Sequence, residues 1–394
     1  MEKAQTQCPD AVDSQQNISQ AVKALTANLR PTLLCLSHLR WGFVYQRPQH
    51  LMSRFTRDYQ VLFFEEPLLS DRATAWLEEQ LQASGVKVLI PRVPAGLTAD
   101  AVTRIQRELI DTYLAEYPPL ELLLWYFTPM SLAFTEHLNA QVTVFDCMDE
   151  LSAFKGAPPD LLDKERQLLE RADVVFTGGY SLWEAKRDQH ANVHPMPSSV
   201  DIEHFAEARN IKTEPMDQRE IGHPRLGFFG VIDERFDVEL LTELAVQYPR
   251  WQFVLIGPVV KIDPASLPRL NNIHYLGGKS YTQLPDYLSG WDVALMPFAI
   301  NESTRFISPT KTPEYLAGGC PVVSTPIIDV VRMYGSSPVV RIAGVAEDFA
   351  QAIKAALLDR HDLKTLYRHA DQALEGKSWD QTWTQIKEQI ECLK

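Results

Sequence analysis

Two charged side chains three residues apart are the strongest candidates for ligand chemistry in this sequence. Lys311 and Glu314 lie in RFISPTKTPEYLAGGCPVVSTP, residues 305–326. The hydroxyls of Ser308 and Thr310 can cap a helix, and the proline between them suits a first turn, so the pattern predicts a helix beginning there. Lys311 would then face a diphosphate, and Glu314 could bind two ribose hydroxyls. A solvated Lys–Glu pair on a surface helix explains the same spacing.

A glycine-containing turn after an aromatic strand is the second candidate. In GFFGVIDERFD, Gly230 follows the strand end and Arg235 comes shortly after it. Glycine lets an anion approach the backbone, and the guanidinium adds a charged contact, which together suit a phosphate. A tight turn without a ligand is the alternative interpretation.

The loop after the first strand, HLRWGFVYQRPQH, combines aromatic and basic residues at residues 38–50. Arg40 and Arg47 flank it, it contains Gly42, and Trp41 or Tyr45 offers a ring for stacking. We expect the arginines to bind a phosphate by paired hydrogen bonds while a sugar stacks on the ring. An aromatic packing loop with exposed arginines is the alternative.

Two carboxylates end another strand, in FDCMDELSAF. Asp149 is predicted to face a cleft, where it would bind sugar hydroxyls or act as a base. Asp146, nearer the strand, is predicted to bond backbone amides. The Asp-x-x-Asp spacing also permits a divalent metal, but we expect none here.

Composition limits the class of protein. The 394 residues fit two domains, and the net charge of −13 argues against nucleic acid as a partner. The five cysteines lack metal-ligand spacing and are expected to be reduced thiols of a cytoplasmic protein. There is no apolar run of membrane-spanning length, and residues 1–28 are expected to be a polar, weakly ordered lead.

One stretch opposes the acidic balance. Residues 14–57 contain six basic side chains and no Asp or Glu. This pattern favours peripheral contact with the inner membrane face or an anionic lipid-linked partner, although a solvated basic helix face explains it equally.

Apolar runs separated by helical segments predict an α/β chain with two parallel sheets. The first six strands are expected at residues 32–37, 61–64, 86–90, 122–126, 142–146 and 174–177. The second six are expected at residues 225–229, 253–256, 273–275, 293–296, 322–324 and 339–341. Ligands are then expected at the carboxyl ends of both sets of strands.

These segments resemble GT-B glycosyltransferases, especially the retaining family-four type and its bacterial teichuronic-acid-type envelope-polysaccharide members. In that family a Glu-x7-Glu motif precedes an Ala-Gly-x-Pro-Val-Val run, and Glu314 matches the second, ribose-binding glutamate. Phe306 replaces the first glutamate, which contacts the donor sugar in the family. PSSVDIEHF, residues 197–205, is similar to the segment that joins the family's two domains.

The resemblance implies two Rossmann-like doubly wound domains facing a cleft. It places an acceptor-binding domain at residues 29–205, a nucleotide-sugar domain at 206–376, and a helix at 377–394 crossing back to the first domain. By resemblance, Arg235 contacts the donor diphosphate, while Gly257, Leu276 and Gly277 frame the base. Neither a cofactor nor a metal is expected.

The expected activity is transfer of a sugar from a nucleotide donor, with uridine as base, to a glycan or lipid-linked acceptor in envelope polysaccharide synthesis. Asp149, Arg235 and Lys311 are the expected catalytic residues, and retention is the expected stereochemistry. A nonhydrolysing sugar-nucleotide epimerase and a catalytically silent partner subunit are the alternatives. A DNA-modifying glucosyltransferase is disfavoured by the charge.

Overall fold

The computed structural model describes residues 30–394 and contains two sheets. The first has the strands β1 Thr32–Leu36, β2 Gln60–Phe64, β3 Leu68–Ser70, β4 Trp76–Leu81, β5 Lys87–Pro94, β6 Leu122–Tyr126, β7 Val142–Cys147, β8 Val174–Thr177 and β9 Val193–Pro195. The second has β10 Arg225–Phe229, β11 Gln252–Ile256, β12 Ile273–Tyr275, β13 Val293–Met296, β14 Val322–Ser324 and β15 Val340–Ile342. We call the part of the chain built on each sheet the first and the second domain.

The first sheet runs in the order β3-β5-β2-β1-β6-β7-β8-β9, and β4 lies antiparallel to β5. β1 is buried along its whole length because parallel strands cover it on both sides and helices cover both faces. Chain order reverses on either side of β1, so the loop after β1 opens into a crevice at the carboxyl edge.

The second sheet is entirely parallel, in the order β12-β11-β10-β13-β14-β15. Its own reversal falls at β10, which pairs with β11 on one side and β13 on the other. The loop that follows β10 contains Gly230 and Arg235, and it therefore lies at the crevice of this sheet.

Helices connect and cover the strands. The α-helices are α1 Arg47–Phe55, α2 Ala99–Glu116, α3 Leu132–Thr135, α4 Leu161–Arg171, α5 Tyr180–Lys186, α6 Ile202–Ala206, α7 Met216–Arg219, α8 Val238–Gln247, α9 Leu284–Leu288, α10 Lys311–Ala317, α11 Ile328–Tyr334, α12 Ala346–Asp359, α13 Leu363–Ala373 and α14 Trp379–Glu391. Short 3-10 turns lie at Pro129–Ser131, Leu151–Ala153, Glu207–Arg209, Pro264–Ser266, Tyr281–Gln283 and Glu302–Thr304.

The predicted strands are confirmed to within a few residues at their ends, but β3, β4 and β9 were missed. β4 is a polar edge strand, half-buried at best, and β3 and β9 have three residues each. None of the three carries the continuous apolar run that marks a strand buried on both faces. The predicted lead at residues 1–28 lies outside the described residues.

The last helix crosses back to the first domain, as the sequence predicts. α14 packs on α1, and its stripe of Trp379, Ile386 and Ile390 is fully buried in the first domain's core. The chain passes between the two domains twice, near Val200 and near Lys377, and these two segments lie side by side. The Val200 amide donates to the Lys377 carbonyl, and the Val200 carbonyl accepts from the Trp379 amide. The domains are therefore joined by two adjacent segments.

A buried ion pair ties α1 to the sheet beneath it. Nε of Arg47 donates to both carboxylate oxygens of Asp146 at 3.0 Å, and Nη1 donates to the Met196 carbonyl at 2.7 Å. Arg47 is 2% exposed and Asp146 is fully buried. The pair joins the start of α1, the end of β7 and the segment leaving β9.

Substituting Asp146→Asn should lower the free energy of unfolding by about 3–5 kcal/mol, because it leaves the Arg47 charge buried without a counterion. The double variant Arg47→Met/Asp146→Leu should lose less than the sum of the losses in the single variants Arg47→Met and Asp146→Leu, since no charge then remains buried. Urea unfolding of the four proteins in a double-mutant cycle measures this. Additive losses would show that the two side chains are not energetically coupled.

Candidate functional site

A cavity of about 660 Å³ lies between the carboxyl edges of the two sheets. The first domain lines it with the loop after β1, the residues after β7 and Ser198. The second domain contributes the loops after β10, β11 and β12 and the start of α10. A cavity of this size, formed between two domains, suits a small-molecule ligand.

Lys311 and Glu314 both line this cavity from α10. Glu314 is 5% exposed, and burial raises its pKa to about 7, although Lys311 and a hydrogen bond from Thr310 oppose the rise. Burial likewise lowers the pKa of Lys311, with Glu314 opposing. Two opposite charges held in a poorly hydrated wall form a polar site rather than a solvated surface pair.

The start of α10 differs from the prediction. The helix begins at Lys311 and Thr310 precedes it without a side-chain cap, whereas a helix starting near Ser308 was expected. The Ser308 hydroxyl instead lies 3.4 Å from the amide of Ser198, across the domain boundary. Ser308 and Thr310 nevertheless line the cavity.

The two strand-end glycines permit close contacts within the protein. A Cβ on Gly230 would lie 2.1 Å from Cε of Lys311, and one on Gly257 would lie 1.8 Å from the Gly230 carbonyl oxygen. Both have positive φ, 146° and 142°. Glycine here lets the Lys311 stem lie over the loop after β10, with Nζ 5.9 Å from the rings of Phe228 and Phe298.

Arg235 lines the cavity but is held by a neighbour that the sequence analysis missed. Its Nη2 lies 2.6 Å from Oδ2 of Asp233, and Nε donates to Oδ1 at 3.0 Å. Across the cleft the guanidinium faces the ring of Phe154 at 5.4 Å. Asp233 is 4% exposed, so it fixes the orientation of Arg235. The Asp-x-Arg spacing is the signal that identifies this pair.

The residues after β12 that line the cavity differ from the predicted ones. Leu276 and Gly277 do not line it, whereas the four residues Gly278, Lys279, Ser280 and Tyr281 do. Tyr281 stacks on Tyr45 of the first domain at 4.6 Å and on His204 at 4.5 Å. A contact between domains of this kind leaves no pattern in the local sequence.

The arginines of the loop after β1 do not form the predicted phosphate clamp. Arg40 pairs with Glu65 at 3.0 Å and donates to the carbonyls of Glu66 and Pro67, and it does not line the cavity. Arg47 reaches the cavity wall, but its guanidinium is bound to Asp146. Asp146 was expected to bond backbone amides, and its partner is instead this guanidinium.

Trp41 and Gly42, the other two residues expected to bind an acceptor, do line the cavity. The Trp41 amide donates to Glu65 at 2.7 Å, and its ring packs edge-on against Phe63 at 5.1 Å. Glu65 therefore holds both Arg40 and Trp41, and the tryptophan is fixed from two sides.

Asp149 lines the same wall. Burial raises its pKa to about 6, and Arg235, Arg47 and Lys311 oppose this rise. Of the described residues that line the cavity, only Asp149 and Glu314 carry a carboxylate. Within residues 30–394, no three His, Cys, Asp or Glu side chains converge closely enough to hold a metal ion.

Phe306 does not line the cavity. It packs against the core of the first domain, beneath the guanidinium of Arg305 at 5.1 Å. The position that carries a donor-sugar glutamate in the family pattern thus makes an apolar contact between domains here.

Of the six basic residues of the predicted basic face, Arg40, Arg47, Arg54 and Arg57 are paired with carboxylates, and Lys23 lies outside the described residues. Besides the pairs of Arg40 and Arg47, both Arg54 and Arg57 lie 2.9 Å from Asp380 on α14. In residues 30–394, no helix combines the length and the apolar composition needed to cross a membrane.

The chain is similar to known proteins in sequence and in fold. Residues 223–359 match the model of the family Glycosyl transferases group 1. A protein named as a teichuronic acid biosynthesis glycosyltransferase, TuaH of Bacillus subtilis strain 168, is 26% identical over 226 residues, which are 53% of this chain and 57% of TuaH. The match thus spans little more than half of that relative.

Three solved structures share the fold. Sucrose-phosphate synthase from Thermosynechococcus elongatus superposes with a TM-score of 0.68 at 16% identity, covering 92% of this chain and 99% of that one. HepE from Anabaena with UDP and glucose gives 0.69 at 16%, covering 92% and 100%. The E. coli trehalose-6-phosphate protein with UDP-2-fluoro glucose gives 0.63 at 12%, covering 92% and 98%. The chain has the GT-B fold, and the part of it that resembles the glycosyl transferases group 1 model lies in the second domain.

Proposed function

We propose that this protein is a glycosyltransferase that moves a sugar from a UDP-sugar to a glycan or lipid-linked acceptor in envelope polysaccharide synthesis. The observation that carries the proposal is that a half-buried lysine, Lys311, and a buried glutamate, Glu314, lie together on the wall of a cavity between two domains. The group 1 match supports transfer, the UDP named in two of the structural relatives supports the donor, and the teichuronic acid role named for TuaH supports the pathway.

The second domain binds the donor in this proposal. Lys311 contacts the diphosphate, Glu314 accepts hydrogen bonds from the ribose hydroxyls, and Arg235 adds a cation already oriented by Asp233. The residues after β12, from Gly278 to Tyr281, lie where the base would be bound. The first domain presents the acceptor along Trp41 and Gly42.

The reaction proceeds with retention in this proposal. The acceptor hydroxyl attacks the anomeric carbon on the face that the diphosphate leaves, and an oxygen of the departing diphosphate takes the hydroxyl proton. Lys311 and Arg235 stabilise the negative charge that grows on the leaving group, and they are already in place before reaction. Asp149 orients sugar hydroxyls; in an inverting reaction it would be the base.

A panel of nucleotide sugars, with and without a membrane lipid extract, tests the proposal. We expect UDP to be released from one donor, faster with the extract and not at all in Glu314→Ala. The exposed Glu347→Ala is the control and should release UDP as the wild type does. NMR of the product's anomeric proton reports retention. Epimerisation of the donor without transfer would identify an epimerase, and absence of turnover in folded protein would identify a silent subunit.

Affinity for a UDP-sugar should fall about tenfold from pH 8 to pH 6. Glu314 has its pKa raised to about 7, chiefly by burial, so it takes up a proton over this range and loses its capacity to accept two hydrogen bonds. The donor's diphosphate diester does not titrate there. Calorimetric titration at several pH values measures the effect. Glu314→Gln should bind weakly at every pH, and a full pH dependence in that variant would assign the titration to another group.

Lys311→Met should weaken UDP-sugar binding by about 1.5–3 kcal/mol, because it removes the charge nearest the diphosphate while keeping the stem over Gly230. The midpoint of the pH dependence should also move upward, since Lys311 lowers the pKa of Glu314. The same calorimetry serves, with the exposed Lys354→Met as control. Unchanged affinity in Lys311→Met would exclude a diphosphate contact.

A further inference from the structure

The first-domain wall of the cavity is aromatic and carries little positive charge. The loop after β1 lines it with Trp41, Phe43 and Tyr45, and Phe43 is 52% exposed. Asp149 adds a carboxylate to the same wall. Aromatic rings that pack against the C–H faces of a sugar, beside a carboxylate that accepts bonds from its hydroxyls, form a surface suited to carbohydrate.

The cation on this wall is already neutralised inside the protein. Arg47 directs Nε and Nη2 at Asp146 and Nη1 at the Met196 carbonyl. A phosphate that took this guanidinium would leave Asp146 buried without a counterion, which costs several kcal/mol. Arg40, the other arginine of the loop, is held outside the cavity by Glu65.

The second domain has few cations that could bind a phosphate on the acceptor. Arg235 is paired with Asp233, and Lys279 lies 2.6 Å from Asp217. Lys311, like Arg235, is assigned to the donor diphosphate in the proposed function. A second phosphate in the cavity would therefore meet Asp149 and the donor's own negative charge.

We propose that the acceptor sugar bound against Trp41, Phe43 and Asp149 is uncharged, a hydroxyl-bearing glycoside and not a sugar phosphate. The inference rests on the proposed function for the identity of the second substrate, but the charge of the wall is independent of it. A terminal neutral sugar can belong to a free glycan or to a lipid-linked one, and both share this chemistry.

Calorimetric titration of the full-length protein with matched ligand pairs tests the inference, with and without saturating UDP. Each pair compares a methyl glycoside with the phosphate of the same glycoside, such as methyl glucoside and methyl glucoside 6-phosphate. The pH is 8, because burial raises the pKa of Asp149 to about 6 and the carboxylate must be ionised. Heat from UDP alone tests the proposed function separately from the acceptor preference.

The neutral member should bind at least tenfold more tightly than its phosphate in the best-bound pair. In Asp149→Asn this preference should shrink by roughly tenfold, through weaker binding of the neutral sugar and relief of like-charge repulsion toward the phosphate. Asp163→Asn, an exposed carboxylate of α4, is the matched control and should keep the wild-type preference. Octyl and methyl glycosides of one sugar separate the sources: tighter octyl binding points to a lipid-linked glycan.

Three results would overturn the inference. A sugar phosphate that binds as tightly as its neutral partner would show that the wall does accept anions. Binding of neither member of any pair would show that the aromatic wall is not a sugar platform. An unchanged preference in folded Asp149→Asn, checked by circular dichroism, would remove this carboxylate from the discrimination.

Discussion

The ion pair of Arg47 and Asp146 is the constraint on which the first-domain wall of the cavity depends. It joins the first turn of α1, the carboxyl end of β7 and the chain leaving β9 at Met196. The loop before α1 and the residues after β7 are therefore held side by side, which places Trp41 and Asp149 on one wall. A buried pair stabilises little relative to apolar packing, but it specifies one arrangement, because losing either partner is costly.

The second domain is organised by close packing around one lysine. Because Gly230 and Gly257 lack a side chain, the ends of β10 and β11 can lie close together. The same absence leaves room for the Lys311 stem over aromatic rings. Asp233 holds Arg235 in the same region. Cations fixed in this way need no reorganisation when charge develops on a leaving group, which is the condition for effective electrostatic stabilisation.

The sequence predicted what depends on local pattern. Continuous apolar runs located the parallel strands, and the spacing of Lys311 and Glu314 located two groups that do line the cavity. The sequence did not predict the ion pairs of Arg40 and Arg47, because their carboxylate partners lie 25 and 99 residues away along the chain. A free arginine and a paired one have the same sequence signature, so only the folded arrangement shows which carboxylate neutralises it.

Phe306 lies in the contact between the two domains, at the position where the family pattern has a glutamate that contacts the donor sugar. A glutamate at this position would carry its charge into the apolar contact that Phe306 makes with the core of the first domain, where burying a carboxylate is unfavourable. The phenylalanine thus favours the packing of one domain on the other, but it lacks the carboxylate with which a glutamate would accept hydrogen bonds from sugar hydroxyls. Of the described residues that line the cavity, Asp149 then holds the one carboxylate besides Glu314. Under the proposed function Glu314 is taken by the ribose, so other sugar hydroxyls would find their carboxylate on the first domain, and their recognition would require the two domains to lie together.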